Sequence, residues 1–412
     1  MAVETGLAGH ARRVAQWSAI ALGFSIPVST ALDNVLIVIT LAAWALSGQV
    51  PEIIKNSFKN KQLLYSLMLF AVLALGTLYG ETAWRDALST LSKYNDLLLI
   101  PVFAIVLRDR DTRIKALHAF AIAIALTVVL SCLIRLHVLP AWPFFVIDKA
   151  ALPLVFKLKI THSILVAFGA FLFVWLGSTC KRSRVRQVWY AFALLATLNV
   201  LLLVNSATGY VILGGLAVLL AWDRLPARGR AYGMAALAVA VVALLALPNP
   251  FQARVTRIAQ EVQQWRPTEA SETSSGLRLG FYYSTLDIIS AHPLTGVGTG
   301  GFPAAYARQV KGSGKAETQN PHNEFLHITA QVGIAGLLVL IAMFWQQWRS
   351  APSLATPMEQ ALARGLVFTM VAGCLFNSLL LDHAEGLFYA WLSGLLYGSL
   401  KYGPFEPAAT NT

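Results

Sequence analysis

The sequence predicts an all-α polytopic membrane protein with about 12 transmembrane helices and a large helical loop between the ninth and the tenth. Hydrophobic residues make up 57% of the 412 residues and charged residues 13%, whereas soluble domains contain about 25% charged residues. Apolar stretches near the length of about 20 residues that a membrane-spanning helix needs recur on both sides of residues 249–324. We therefore expect the chemistry of the protein in that one polar segment.

Nine spans are predicted within residues 1–248. The apolar stretch 17–47 is too long for one span, and Pro27, Ser29, Asp33 and Asn34 interrupt it, so we expect two short helices that meet at a polar turn. A loop of about 25 residues is expected after residue 136. The other seven predicted spans of this part cover residues 62–80, 91–107, 114–136, 161–179, 187–204, 206–222 and 232–248.

The orientation of the chain follows from its basic residues. Residues 325–412 contain three further spans, at 325–346, 360–380 and 385–402, and a tail. More than half of the 32 Lys and Arg residues fall in alternate connections, while the opposite short turns 205–209 and 381–385 contain none. Because cytoplasmic loops carry the excess of Lys and Arg, both termini are predicted in the cytoplasm and the loop 249–324 outside.

The composition argues against several other classes. The net charge of +12 would suit nucleic acid, but basic connections beside apolar spans normally set topology. Cys132, Cys180 and Cys374 lie in or beside predicted spans without metal-type spacing, so neither a zinc site nor a disulfide framework is expected. No cleavage site follows Arg12 and Arg13, so the first span is expected to be retained.

The loop is predicted to contain two helices. The first covers residues 251–265, where five apolar residues recur at helical spacing, and it either lies on the outer leaflet or packs on the bundle. The second covers residues 277–290, with Arg278 in its first turn. A cation there opposes the helix dipole, so we expect Arg278 to bind an anion together with free N–H groups. The alternative is an ion pair with Glu272 or Asp287.

A glycine-rich run covers residues 292–302. Its glycines permit sharp turns and the close approach of a ligand to the backbone. The spacing is that of neither a dinucleotide fingerprint nor a Walker loop. His292, at the start of the run, is expected to be a turn or capping residue.

His322 is the strongest single candidate for catalysis. It follows Asn320 and Pro321 where the chain re-enters the membrane, and a neutral imidazole can take a proton from a hydroxyl near pH 7. His327 is five residues further on, so the i, i+4 pair of a helical zinc site is missing and no metal is expected. A purely structural role for His322 as a helix-capping residue remains the alternative.

The segment resembles the signature of the O-antigen ligase and polymerase superfamily. The resemblance rests on His322-Asn323, nine residues, and Gly333-Ile-Ala-Gly336, together with the upstream run His292-Pro-Leu-Thr-Gly-Val-Gly. It implies a metal-independent inverting glycosyltransferase of GT-C-like fold, without a cofactor, in the inner membrane of a Gram-negative bacterium. The implied donor is a glycan on undecaprenyl pyrophosphate, and the acceptor is the lipid A core oligosaccharide. His322 becomes the general base at the periplasmic face and Arg278 a pyrophosphate ligand.

One position departs from this resemblance. The superfamily usually carries Arg before Thr-Gly-Tyr, whereas this chain has Ala207. Either Lys93, Arg254 or Arg257 supplies the missing positive charge, or the chain is a disabled variant.

Other residues and other functions complete the prediction. Asn323, Glu324 and His383 are candidates for orienting the base or contacting the acceptor. A glycan polymerase or a related transferase would use the same donor and face. A lipid or polysaccharide transporter is disfavoured, because no half-to-half repeat is evident and the polar residues gather in one outer loop.

Overall fold

A computed structural model describes residues 6–51, 60–139, 152–267 and 269–400. All regular secondary structure in these ranges is helical, which confirms the all-α class. Five of the described helices are long and apolar enough to cross a membrane, and two shorter apolar helices accompany them. The total of about 12 spans stays a prediction. The five long helices are Arg110–Arg135, Lys159–Thr179, Ser183–Val204, Ala227–Ala246 and Glu324–Ser353.

The helices described before residue 140 are α1 (Leu7–Val28), α2 (Thr30–Leu46), α3 (Lys61–Gly76), α4 (Trp84–Ser92), α5 (Asp96–Val106) and α6 (Arg110–Arg135). The expected turn between the first two helices lies at Ser29, whose side chain accepts the N–H of Leu32. The predicted span 91–107 is wrong at its start, because the chain turns at Lys93 before α5 begins.

The helices of the second half are α7 (Lys159–Thr179), α8 (Ser183–Leu198, continued by the π-helix Asn199–Val204), α9 (Ala207–Arg224), α10 (Ala227–Ala246), α11 (Pro250–Gln264), α12 (Ser274–Ala291), α13 (Phe302–Val310), α14 (Glu324–Ser350), α15 (Pro357–Cys374) and α16 (His383–Tyr397). The centre of the bundle is α16, whose residues from Glu385 onwards are buried. It packs on α1, α5 and α15, and Trp391 donates its indole N–H to the Ala19 carbonyl at 2.9 Å.

The loop contains three helices, so the prediction of two was wrong. The third, α13, begins at Phe302 and has a proline in its first turn, a position that favours helix initiation. Phe302 and Tyr306 are buried in a small apolar cluster with Phe281 of α12. Only its first residue, Phe302, belongs to the predicted glycine-rich run, and no structure was predicted for the residues that follow.

Helix α14 is broken within its length. Val332 (φ −130°) and Gly333 (φ 67°, ψ −166°) leave the helical conformation, and the second conformation is one that essentially only glycine adopts without strain. The N–H of Ile334 donates instead to the Pro293 carbonyl at 3.0 Å. The carbonyl of Ala330, its usual partner, is thereby free to accept a hydrogen bond from outside the helix.

The glycine-rich run 292–302 fills this break. Val297 and Gly298 donate their N–H groups to the carbonyls of the two residues before the break, at 2.8 and 2.9 Å. Thr299 donates its N–H to the Gly76 carbonyl at the end of α3, at 2.9 Å. The close approach that the glycines permit is therefore made to two helix backbones.

Replacing Gly333 with alanine is expected to destabilise the protein. A Cβ there would lie 2.0 Å from the Leu294 carbonyl oxygen, and the backbone strain alone costs about 1–3 kcal/mol. The measurement is the midpoint of thermal unfolding in detergent. Gly214→Ala is the control, because a Cβ at Gly214 meets no atom within 4 Å. Equal midpoints for the two variants would contradict the importance of this break.

Candidate active site

The site begins at the turn before α14. Asn323 is the N-cap, and its side-chain oxygen accepts the N–H of Leu326 at 3.1 Å. His322 has φ 53°, in the left-handed region that costs a non-glycine residue about 1 kcal/mol or more. Its N–H donates to Asn320 Oδ1 at 2.9 Å. These two side-chain contacts hold the histidine just outside the helix.

The imidazole of His322 is half-buried and stacks on the ring of Phe281, with centroids 5.8 Å apart. Burial lowers the pKa of His322 below its usual value of 6.5, and the positive charge of Arg278 lowers it further. The ring is therefore neutral at pH 7 and can accept a proton. His327 lies elsewhere, buried against Phe302 at 5.3 Å.

Arg278 of α12 is a cation without a countercharge. Its guanidinium donates to Asn377 Oδ1 at 3.5 Å, and it takes part in none of the ion pairs of the described residues. The alternative of a pair with Glu272 or Asp287 is therefore wrong. Burial lowers the pKa of Arg278, which shows that its charge is partly withdrawn from water. An anionic ligand would supply the missing partner.

Three side chains on one face of α12 contribute to the site. Arg278, Phe281 and Tyr282 have the i, i+3, i+4 spacing that places residues together on a helix. The Tyr282 hydroxyl lies 3.1 Å from the His322 carbonyl oxygen and 2.9 Å from that of Leu375. It thus joins α12 to the histidine turn and to the end of α15. The sequence analysis missed Phe281 and Tyr282, although this spacing from Arg278 was visible.

Asn377 was also missed, and no sequence signal marked it. Its side chain accepts from Arg278 through Oδ1 and donates through Nδ2 to Thr208 Oγ1 at 3.4 Å. The amide therefore connects Arg278 with the first turn of α9, which begins at Ala207.

A second arginine lies close to Arg278. The ring of Phe251 in α11 packs 4.7 Å from the ring of Tyr210 in α9, and this contact holds α11 against the turn that contains Ala207. Arg254 follows one turn later, and its charge lowers the pKa of Arg278 in addition to burial. Its buried Nε has no hydrogen-bond partner among the described residues. Two guanidinium groups that form no ion pair among the described residues thus lie near each other, with the carboxylate of Glu261 close to Arg254.

The other predicted cations lie apart from this pair. Arg257 is exposed, and its charge acts on Glu261. Burial alone would raise the pKa of Glu261, but hydrogen bonds from Ser275 and the charges of the nearby arginines lower it. Lys93 is exposed at the end of α4. Its charge acts on Asp382, where burial nevertheless raises the pKa of the carboxyl.

The predicted contact of Glu324 with the His322 ring is not observed, and the predicted contact of His383 with the acceptor stays a prediction. Glu324 is fully buried. Its carboxylate accepts from the Tyr94 hydroxyl and from the Leu380 N–H, both at 2.9 Å. His383 lies near Lys157, and its Nε2 has no hydrogen-bond partner in the described ranges. Glu324 therefore positions the start of α14, and does not orient the His322 ring.

Fold and site define a helical membrane protein with a neutral histidine and an unpaired arginine beside a long apolar helix. Residues 191–341 match the family model described as O-antigen ligase. The match confirms the resemblance drawn from the sequence over these residues, and it indicates a ligase of the glycosyltransferase type. The matched residues include Arg254, Arg278 and His322. Comparison with curated proteins gives no match.

The His322 imidazole is expected to titrate below pH 6.5, because burial and the Arg278 charge both disfavour its protonated form. Arg278→Gln removes the cation and should raise the His322 pKa, while burial keeps it below the usual value. The measurement is an NMR titration of the ring resonance, assigned by its absence in His322→Gln. A pKa that does not respond to Arg278→Gln would show that the two groups do not interact.

Proposed function

We propose that this protein is an O-antigen ligase. It transfers O-antigen glycan from undecaprenyl pyrophosphate to the lipid A core oligosaccharide at the periplasmic face of the inner membrane of a Gram-negative bacterium. The observation that carries the proposal is the pairing of a neutral, half-buried His322 with Arg278, a cation that lacks a countercharge. The sequence predicts about 12 spans, and its distribution of Lys and Arg predicts cytoplasmic termini. With that orientation, His322 and Arg278 lie on the periplasmic side of the membrane.

His322 acts as the general base. Its neutral ring removes the proton of the acceptor hydroxyl while that oxygen attacks the anomeric carbon of the donor. The carbon–oxygen bond to the pyrophosphate breaks on the opposite face, so the configuration inverts, and the leaving group keeps the electron pair. General-base assistance contributes about 10²–10⁴-fold. The left-handed backbone of His322 and its contact with Asn320 fix the ring for this task.

Arg278 and Arg254 stabilise the leaving group. Negative charge grows on the pyrophosphate as the bond breaks, and preorganised cationic donors in a partly desolvated site favour that charge most. Both guanidinium groups fulfil this condition, since neither takes part in an ion pair of the described residues and Arg278 is held by Asn377. With this charge supplied by side chains, we propose a metal-independent transfer without a cofactor.

His322→Ala is expected to abolish transfer while the protein still folds and inserts, because the base is lost. Purified protein is incubated with lipid-pyrophosphate glycan and rough lipopolysaccharide in chelator, and glycan on the core is measured. His292→Ala is the matched control, since His292 is an exposed residue at the end of α12. Substantial transfer by His322→Ala would end the assignment of the base. Glycan that lengthens on the lipid carrier, without reaching the core, would identify a polymerase.

Arg254→Ala should lower transfer by about 10²–10³-fold, as the loss of one charge-stabilising donor does. Because Arg254 lies beside the turn of Ala207, the double variant Arg254→Ala, Ala207→Arg is expected to recover activity. Arg257→Ala, one turn further along α11 and exposed, is the control and should retain transfer. An inactive parent chain that Ala207→Arg alone activates would instead identify a disabled variant.

A further inference from the structure

A cavity of about 450 Å³ lies next to Asn377, the residue that accepts the hydrogen bond of Arg278. Residues 158–161, at the start of α7, form one wall, and Asn377, Asp382 and Glu385 form the other. Its volume is in the range of about 300–1,000 Å³ that ligand sites occupy. The mechanism described above uses none of this space.

The chemistry of the lining favours a sugar. The carboxylates of Asp382 and Glu385 accept hydrogen bonds from hydroxyl groups, the Asn377 amide both donates and accepts, and Leu158 and Ile160 offer aliphatic surface. Glu385 is only 3% exposed, and Thr161, which lines the same cavity, stabilises its charged form. Lys159 also lines the cavity, but the two acidic side chains outnumber this one cation and disfavour a phosphate here.

Asn377 connects the cavity to the reaction site. The same side chain that lines the cavity accepts the hydrogen bond of Arg278 at 3.5 Å. The chain around it also holds the base, since Asn323 donates to the Leu375 carbonyl at 3.1 Å. A ligand in the cavity is thus one side chain away from the guanidinium that we assign to the pyrophosphate.

We propose that this cavity is the subsite for the sugar that accepts the glycan, which Asp382 and Glu385 bind through its hydroxyl groups. The proposal rests on the proposed function. The donor carries its negative charge next to its reacting carbon, so it belongs on the side of Arg278 and Arg254. The cavity with Asp382 and Glu385, on the other side of Asn377, remains for the uncharged sugar ring whose hydroxyl group His322 deprotonates.

The test separates acceptor from donor. KM is measured for rough lipopolysaccharide and, separately, for the lipid-pyrophosphate glycan in Asp382→Asn, Glu385→Gln and Leu158→Trp. Asp382→Asn and Glu385→Gln weaken a hydrogen-bond acceptor while nearly preserving the shape of the side chain. Leu158→Trp fills the cavity from its exposed rim. The acceptor KM is expected to rise by about tenfold or more, with the donor KM unchanged. Leu46→Trp, at a leucine of similar exposure at the end of α2 (65% against 61%), is the control.

A binding experiment keeps this inference distinct from the proposed function. Lipid-free core oligosaccharide is added to the purified full chain, and saturation-transfer NMR reports its contact with the protein. Binding that Leu158→Trp removes supports the subsite even if no glycan is transferred, in which case the proposed function fails alone. Normal transfer with unchanged acceptor KM in all three variants, or a rise in the donor KM instead, overturns the subsite.

Discussion

The break in α14 at Gly333 is the constraint on which the rest of the structure depends. A helix that stops and restarts leaves backbone groups without partners, and in an apolar environment each must find one. The glycine-rich run supplies them: Val297 and Gly298 donate to the freed carbonyls, and Ile334 finds the Pro293 carbonyl. The segment 249–324 and the long apolar helix are therefore joined through main-chain hydrogen bonds.

This junction explains the spacing in the motif. Asn323 caps the short helical segment and Gly333 ends it, so the residues between them are one rigid piece that carries His322 at its outer end. The run that fills the break follows directly after α12, the helix of Arg278. His322 and Arg278 thus belong to two elements whose relative position the same backbone contacts fix. This arrangement suits a reaction in which both side chains must meet one substrate.

The all-helical class and its long apolar helices could be predicted from the sequence, because the length and composition of a membrane-spanning helix follow strong general rules. His322 and Arg278 could be chosen as well, since each is chemically unusual at its position. The third loop helix, α13, was missed because its start at Phe302 follows glycines that look like a turn. Asn377 escaped because only the tertiary structure brings it to Arg278. The contacts of the glycine-rich run with two helix backbones could not be foreseen either, because these partners are distant in sequence.

The helix that carries Arg254 is loosely attached: neither α10 nor α11 has a buried residue. It nevertheless brings a second positive charge up to Arg278, and the two guanidinium groups repel each other. In the absence of ligand, this repulsion works against the docking of α11. A bound dianion would attract both guanidinium groups and so hold α11 against α12. The lipid-linked substrate would then itself complete the wall of the site that binds it.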